Sequence, residues 1–238
     1  MTTSETDSIA TVAVLDDELR RGMYGFIRRA RRPVGRDEAA AAVGISRKLA
    51  AFHLDKLVAA GLLQARFERV DGSRRAGRIP KVYEPTDGDV RVSIPQRQHD
   101  LLAAILVEAV STEGEGGESE TAREAAMRAA HDRGRALGTT ERARTRPGRL
   151  GAQRALTRAE GVLADHGFEP ARESPVCLRL LNCPFHPLAA TSPELVCGIN
   201  HAFLTGFLAG LRAPTVEAVL APRAGECCVH LRQSTGGS

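Results

Sequence analysis

The chain has 238 residues, five of them cysteine, and a formal net charge of +4. Hydrophobic residues make up 42% and charged residues 26%, a balance that excludes collagen, coiled-coil rods and wholesale disorder and leaves one or two domains with cores of their own. No run approaches the ~18 consecutive apolar residues of a membrane span. The opening MTTSETDSIA is polar and acidic rather than a basic segment leading into an apolar one, so the expected location is the cytoplasm, with no membrane partner.

Residues 1–14 lack periodicity and are expected to form a disordered tail. A basic block follows at 15–90: residues 17 to 90 carry 16 Arg or Lys against 10 Asp or Glu, and the rest of the chain is net acidic. Such asymmetry is the footprint of a polyanion-binding module joined to something else, although an arginine-rich coding bias would produce part of it. Leu15, Leu19, Met23, Phe26 and Ile27 are spaced as one face of a helix from Asp16 to Ala30. Arg36 to Val43 reads as a short Ala-rich helix, Gly44 as a turn, and Ser46 as the cap of a further helix to about Ala60. Two helices across a three-residue turn that starts with glycine are the pattern of a helix-turn-helix. Two extended runs, QARFERV and RIPKVYEP, then flank the Arg-rich tip DGSRRAG as a hairpin.

On the second helix, Ala50, Leu54, Leu57 and Val58 form the inward face and His53 belongs to the packed side. Ser46, Arg47, Lys48 and Ala51 are left outward at its N-terminal end, where recognition helices touch base edges. Arg74, Arg75, Arg78 and Lys81, on the hairpin, are candidates for phosphate or minor-groove contacts. Each basic residue alone would equally suit a solvated surface; the order helix, turn, helix, hairpin is what points to double-stranded DNA.

After the connector TDGDVRVSIP, a helical region occupies 96–166: a helix over Gln96 to Val110, the solvated loop STEGEGGESE, a helix over Thr121 to Leu137, the Arg-rich stretch TTERARTRPGR, and a helix around Leu150 to His166. These helices are the expected dimerisation region. From Gly167 to the C-terminus, short apolar runs separated by Pro and Gly predict an α+β unit: strands at Val176–Leu181, Val216–Leu220 and Cys227–Leu231, and a helix at Pro193–Leu211. The whole chain is therefore expected to be α+β.

All five cysteines fall between 177 and 228. In a reducing compartment an odd set of thiols points to metal or redox chemistry more than to disulfides. Cys183, Cys197 and the Cys227-Cys228 pair come from three different elements, at intervals too long for a zinc knuckle or a CxxC site. If Cys227 and Cys228 lie in a strand, their side chains point to opposite faces, so only one of them is expected at the site. Cys177 reads as a buried core thiol. His186 and His201 stand three after Cys183 and four after Cys197, so a zinc site of three thiolates and one histidine is open as well, as is no metal at all. No phosphate-binding Gly loop, HExxH, GxSxG or CxxC occurs, so the chain is not expected to be an enzyme; the alternatives are a DNA-binding module whose C-terminal domain takes a small organic effector or a protein partner, and, after it, a metal- or thiol-dependent enzyme.

The run from Ile45 to Leu63, with FHLDKLV and AGLL, resembles the ArsR- and DeoR-type winged helix-turn-helix bacterial regulators. The exit GRIPKVYEP, residues 77–85, is similar to the corresponding segment of the SufR-type repressor branch, as is the Asn-Cys-Pro-Phe tetrad at 182–185. The resemblance implies a homodimeric repressor on an inverted-repeat operator. It also implies an iron-sulfur cluster held by Cys183, Cys197 and one of Cys227 and Cys228 in a cysteine-rich effector domain at 167–238. The intervals here are slightly longer than the branch's, and the Cys-Cys pair is a departure from it.

Overall fold

The computed structural model describes residues 5–68, 79–112 and 120–235 of a mixed α+β chain. It divides into two units, Met1–Val92 and Ser93–Ser238.

In the first unit, the segment expected to be a disordered tail is helical over Glu5–Ala13 (α1) and is followed by a 3-10 turn at Val14–Asp16. The Thr11 hydroxyl donates to the Ala60 carbonyl at 3.2 Å, and Val14 and Leu15 pack on the core, which ties the segment down where no periodicity announced it. Asp17 caps α2 (Glu18–Ala30) by accepting from the Arg20 amide at 2.9 Å. The two-residue β1 (Val34–Gly35) leads directly into α3 (Arg36–Ala42). Gly44, at φ +68°, makes the left-handed turn that other residues resist, and the Gly44 and Ile45 amides return to the Ala41 and Ala40 carbonyls. Ser46 then caps α4 (Arg47–Ala59) by accepting from the Leu49 amide. The strands β2 (Leu63–Phe67) and β3 (Lys81–Pro85) pair antiparallel, with Ala65 opposite Tyr83, and β1 adds on the other side to give the order β1-β3-β2. Met23, Ile27, Leu54, Leu57, Leu63 and Tyr83 close the core between helices and sheet.

The second unit contains α5 (His99–Ser111), α6 (Ala122–Thr145), α7 (Ala152–Ala164), β4 (Pro170–Ser174), β5 (Cys177–Leu180), α8 (Leu188–Thr191), α9 (Pro193–Leu211), β6 (Val216–Leu220) and β7 (Val229–Gln233). Its strands form an antiparallel sheet in the order β4-β5-β7-β6. The expected seam at residue 166 is absent: α5, α6 and α7 share one continuous core with the sheet and α9, so the helical region and the cysteine-rich region are one folding unit. Three differences in the elements follow from tertiary structure. α6 runs on through the Arg-rich stretch to Thr145, held against α9 where Gly138 meets the Phe207 carbonyl and Arg142 donates to that of Leu211. β4, whose sequence PARES carries no strand pattern, exists through its pairing with β5. β7 begins at Val229, after the Cys-Cys pair.

The contact between α6 and α9 dominates this unit. A capping box of Thr121 and Glu124 starts α6, and Pro193 at the first turn starts α9. The two helices run in the same direction: Arg123 meets Glu194 at one end, and Arg142 donates to the Leu211 carbonyl at the other. Between these, a Cβ on Gly134 would overlap the Phe203 carbonyl oxygen, and one on Gly138 that of Phe207. Gly206 and Gly210 stand in the same relation to the His131 and Arg135 carbonyls. Backbone lies on backbone along the seam, and the flanking Phe203, Phe207, Ala126 and Ala130 are buried around it. Pro193–Leu211 is also the one described helix long and apolar enough to cross a membrane; just over half of it, 56%, is buried within the unit, where it forms the core.

The seam makes a sharp prediction. Gly134→Ala should destabilise the protein by about 1–3 kcal/mol, the usual cost of overpacking, despite alanine's better helix propensity. Gly161→Ala, on the open side of α7 where nothing lies within 4 Å of the added methyl, should raise stability by up to about 1 kcal/mol. Urea denaturation of the two variants checks both signs; equal effects would mean that the seam is not closely packed.

Candidate functional site

Two groups of side chains carry the sequence expectations, one in each unit. In the first, Ser46, Arg47 and Lys48 are exposed at the N-terminal end of α4, whereas Ala51 is half-buried. Arg47 lies 3.2 Å from Asp37 of α3, both largely exposed, a pair that holds little free energy in water and leaves the guanidinium available to a phosphate. Phe52, 55% exposed, extends this face, with the Lys56 ammonium 5.7 Å from its ring centre. Lys81 is otherwise engaged: its ammonium donates to Asp55 at 2.9 Å and lies over the Tyr83 ring, and the Asp55 bond raises its pKa. Arg74, Arg75 and Arg78 lie outside the described residues. His53 is buried as expected, but its Nδ1 has no hydrogen-bond partner and stands 3.9 Å from the Asp17 carboxylate.

In the second unit the fold brings four of the five thiols together. β5 ends at Leu180, and the chain turns through Asn182, Cys183 and Pro184 into the fully buried Phe185. The Cys227 amide donates to the Leu180 carbonyl at 2.9 Å, which lays the approach to β7 beside that turn. Cys183 and Cys227 therefore meet thiol to thiol, Cys227 also touches Cys228, and Cys228 reaches Cys197 on α9. Both members of the Cys-Cys pair precede β7, so strand alternation, the reason for expecting only one of them at the site, does not apply to them. Cys177 is the outlier: half-exposed at the start of β5, its thiol donates to Glu173 at 3.3 Å rather than joining the core.

The thiols are held as a chain of pairs. Among the described residues no three side chains of His, Cys, Asp or Glu converge closely enough to enclose a single metal ion. The histidines stand apart from them: His201 Nε2 is 3.0 Å from the Ala218 carbonyl, and His186 is exposed, with its carbonyl 3.0 Å from His99 Nε2.

Several residues that the sequence did not single out hold the thiols in place. Asn200, completely buried on α9, donates from Nδ2 to the Cys227 sulfur at 3.0 Å, and its Oδ1 has no partner. A polar side chain in an otherwise apolar stretch was the available signal. Arg97 donates to the Asn182 Oδ1 at 2.7 Å and to the Cys183 carbonyl at 2.8 Å, while Asn182 Nδ2 donates to the Gln96 and Gly167 carbonyls. With the Gln98 amide on the Pro184 carbonyl, the start of the second unit is stitched to the cysteine turn. Arg179, 5% exposed, binds Glu226 at 2.6 Å and so pins the residue before Cys227. Burial, then the Arg179 charge, lowers the pKa of neighbouring His230.

Cys183, Cys197 and Cys227 hold their protons more tightly than an ordinary thiol does. The bond with Cys227 and burial push Cys183 well above the ordinary thiol range. At Cys227 the Cys183 contact lowers the pKa, but the Cys228 contact and burial outweigh it and bring it up to about 12. Burial also raises Cys197, against the opposing effect of Cys228. A ligand that binds thiolates must displace these protons, so its affinity rises with pH.

No family model, no curated protein and no solved structure matches the chain.

The folded protein keeps the Cys227 proton more tightly than the unfolded chain. This leaves stability unchanged below the ordinary thiol pKa and lowers it as pH climbs from there towards about 12. In urea melts of metal-free protein between pH 8 and pH 10.5, Cys227→Ser should lose less stability than the parent, the difference growing by up to about 1.4 kcal/mol per pH unit. Parallel curves would show that the Cys227 thiol is not desolvated.

Proposed function

We propose that the chain is a DNA-binding transcriptional regulator, a homodimer that reads an inverted repeat through a winged helix-turn-helix in its first unit. Its second unit is the sensor, holding an iron-sulfur cluster on Cys183, Cys197 and one or both of Cys227 and Cys228. The observation that carries the DNA reading is α3, the Gly44 turn and the Ser46-capped α4, followed by the β2–β3 pair. That arrangement leaves Arg47 and Lys48 outward at the end of α4 that a groove-reading helix presents.

The donor set suits the cluster. Four thiols, buried or half-buried and drawn from separate elements, are soft ligands of the type that iron-sulfur centres and zinc select. Asn200 offers the Cys227 sulfur an amide hydrogen, which stabilises a thiolate, and the Arg97 charge acts on Cys183 in the same sense. Bound there, a cluster supplies a centre that responds to oxidants and to iron supply. The Arg97, Asn182 and Gln98 bonds join the cysteine turn to residues 96–98, next to the boundary between the units, so a shift of that turn is felt where the chain leaves for the reader. A switch of this kind works only to the extent that the loaded and empty forms differ in DNA affinity.

Replacing both Arg47 and Lys48 by Ala should weaken binding to the DNA upstream of the protein's own coding sequence at least tenfold, at about 1–3 kcal/mol for each lost contact. Fluorescence anisotropy measures this, and unchanged affinity would reject α4 as the reader. Protein purified without oxygen should contain iron and acid-labile sulfide together, and both should be lost in Cys183→Ser. Zinc alone, or no metal, would reject the cluster.

A further inference from the structure

The Arg-rich stretch TTERARTRPGR takes no part in DNA reading or in the thiol group, and the fold turns it into something specific. Because α6 continues to Thr145, Arg135, Thr139 and Arg142 fall at i, i+4 and i+7 on one stripe, and Arg146 follows as the residue that ends the helix. The glycine seam brings the end of α9 against that stripe, adding Arg212 just past its last turn. The result is an open pocket of about 660 Å³ lined by these five residues together with Ala143, Pro147, Ala209 and Gly210.

Four guanidiniums line the pocket and no carboxylate does. Arg142 is engaged with the Leu211 carbonyl at 3.1 Å. Arg135, Arg146 and Arg212 are exposed and enter no ion pair with a described carboxylate, whereas the neighbouring Arg144 turns to the other side of α6 and pairs with Glu141 at 2.9 Å. Two helix C-termini end here, and each carries about half a negative charge, which explains the presence of one cation. About three positive charges remain without an internal reason. Guanidinium forks match phosphate oxygens geometrically, and a volume of several hundred Å³ is that of a small-molecule site. The lining has no aromatic side chain to stack on a base, and apart from Thr139 its remaining residues are small or apolar.

We propose that this pocket binds a compact, multiply charged phosphate, a diphosphate or a small phosphate ester, and gives the second unit an anionic effector site separate from its thiols. Arg135, Arg146 and Arg212 supply the charge-assisted bonds, and Thr139 a hydroxyl. A nucleic-acid backbone would need a track of cations beyond a single concavity, so the small anion is the better fit.

Calorimetric titration of the full chain with inorganic pyrophosphate, at low and at physiological salt, tests the site. One pyrophosphate should bind per chain, raise the melting temperature and bind more weakly in salt. The Arg135→Gln/Arg146→Gln variant, which removes two exposed side chains, should keep the parent's melting temperature without ligand and lose at least tenfold in affinity. Arg123→Gln, at the far end of α6, should bind as the parent does. Failure of the parent to bind pyrophosphate, or equal binding by the double variant, would overturn the proposal. So would a double variant that loses affinity for double-stranded DNA and keeps it for pyrophosphate. The proposal does not depend on the DNA-binding reading, and the pyrophosphate titration stands whether or not the chain proves to be a regulator.

Discussion

Direct backbone contact between α6 and α9 is the constraint on which the second unit depends. Four glycines, two on each helix, let carbonyls of one helix lie where side chains of the other would ordinarily stand. Interiors this close-packed do not deform gradually, so the seam fixes both the rotation and the register of α9. That register carries Cys197 and Asn200 to the point where β5 and the approach to β7 deliver Cys183 and Cys227. The same seam gathers the arginines at its other end. A single packing feature thus sets a soft-ligand group and a cationic pocket at different places along one helix pair.

Four thiols share one region of the second unit's core. Burial and the neighbouring sulfurs hold the protons on Cys183, Cys197 and Cys227, and these contacts occupy groups that burial would otherwise penalise. The unpaired Asn200 Oδ1 is the exception, a buried acceptor beside the sulfurs that a core designed only for stability would not keep. Arg179 with Glu226, and Arg97 with Asn182, hold the backbone on both sides of the group from outside it.

Local signals were legible where a residue type has one structural use. Ser46, Gly44 and Pro193 marked helix boundaries because capping, a left-handed turn and a helix first turn are what these residues do there. α9 and β6 match their expected limits residue for residue. Features made by pairing were not legible. Nothing in Pro170–Ser174 announces a strand, and nothing around Cys227 says that β7 starts two residues later, so strand alternation has no hold on the Cys-Cys pair. The spacing of the cysteines assigned them to separate elements, but that Cys183 meets Cys227 follows from the amide bond to Leu180. Nothing in the sequence singled out Gly134, Gly138, Gly206 and Gly210 as the points of closest helix contact.

In the proposed regulator, the state of the thiols in the second unit alters the affinity of the first for DNA. The most direct measurement is the affinity of one protein preparation for its operator, determined without oxygen before and after removal of iron with a chelator. The account predicts that the two affinities differ at least tenfold, and that adding iron and sulfide back restores the first value. Equal affinities, with iron demonstrably lost between the two measurements, would contradict it.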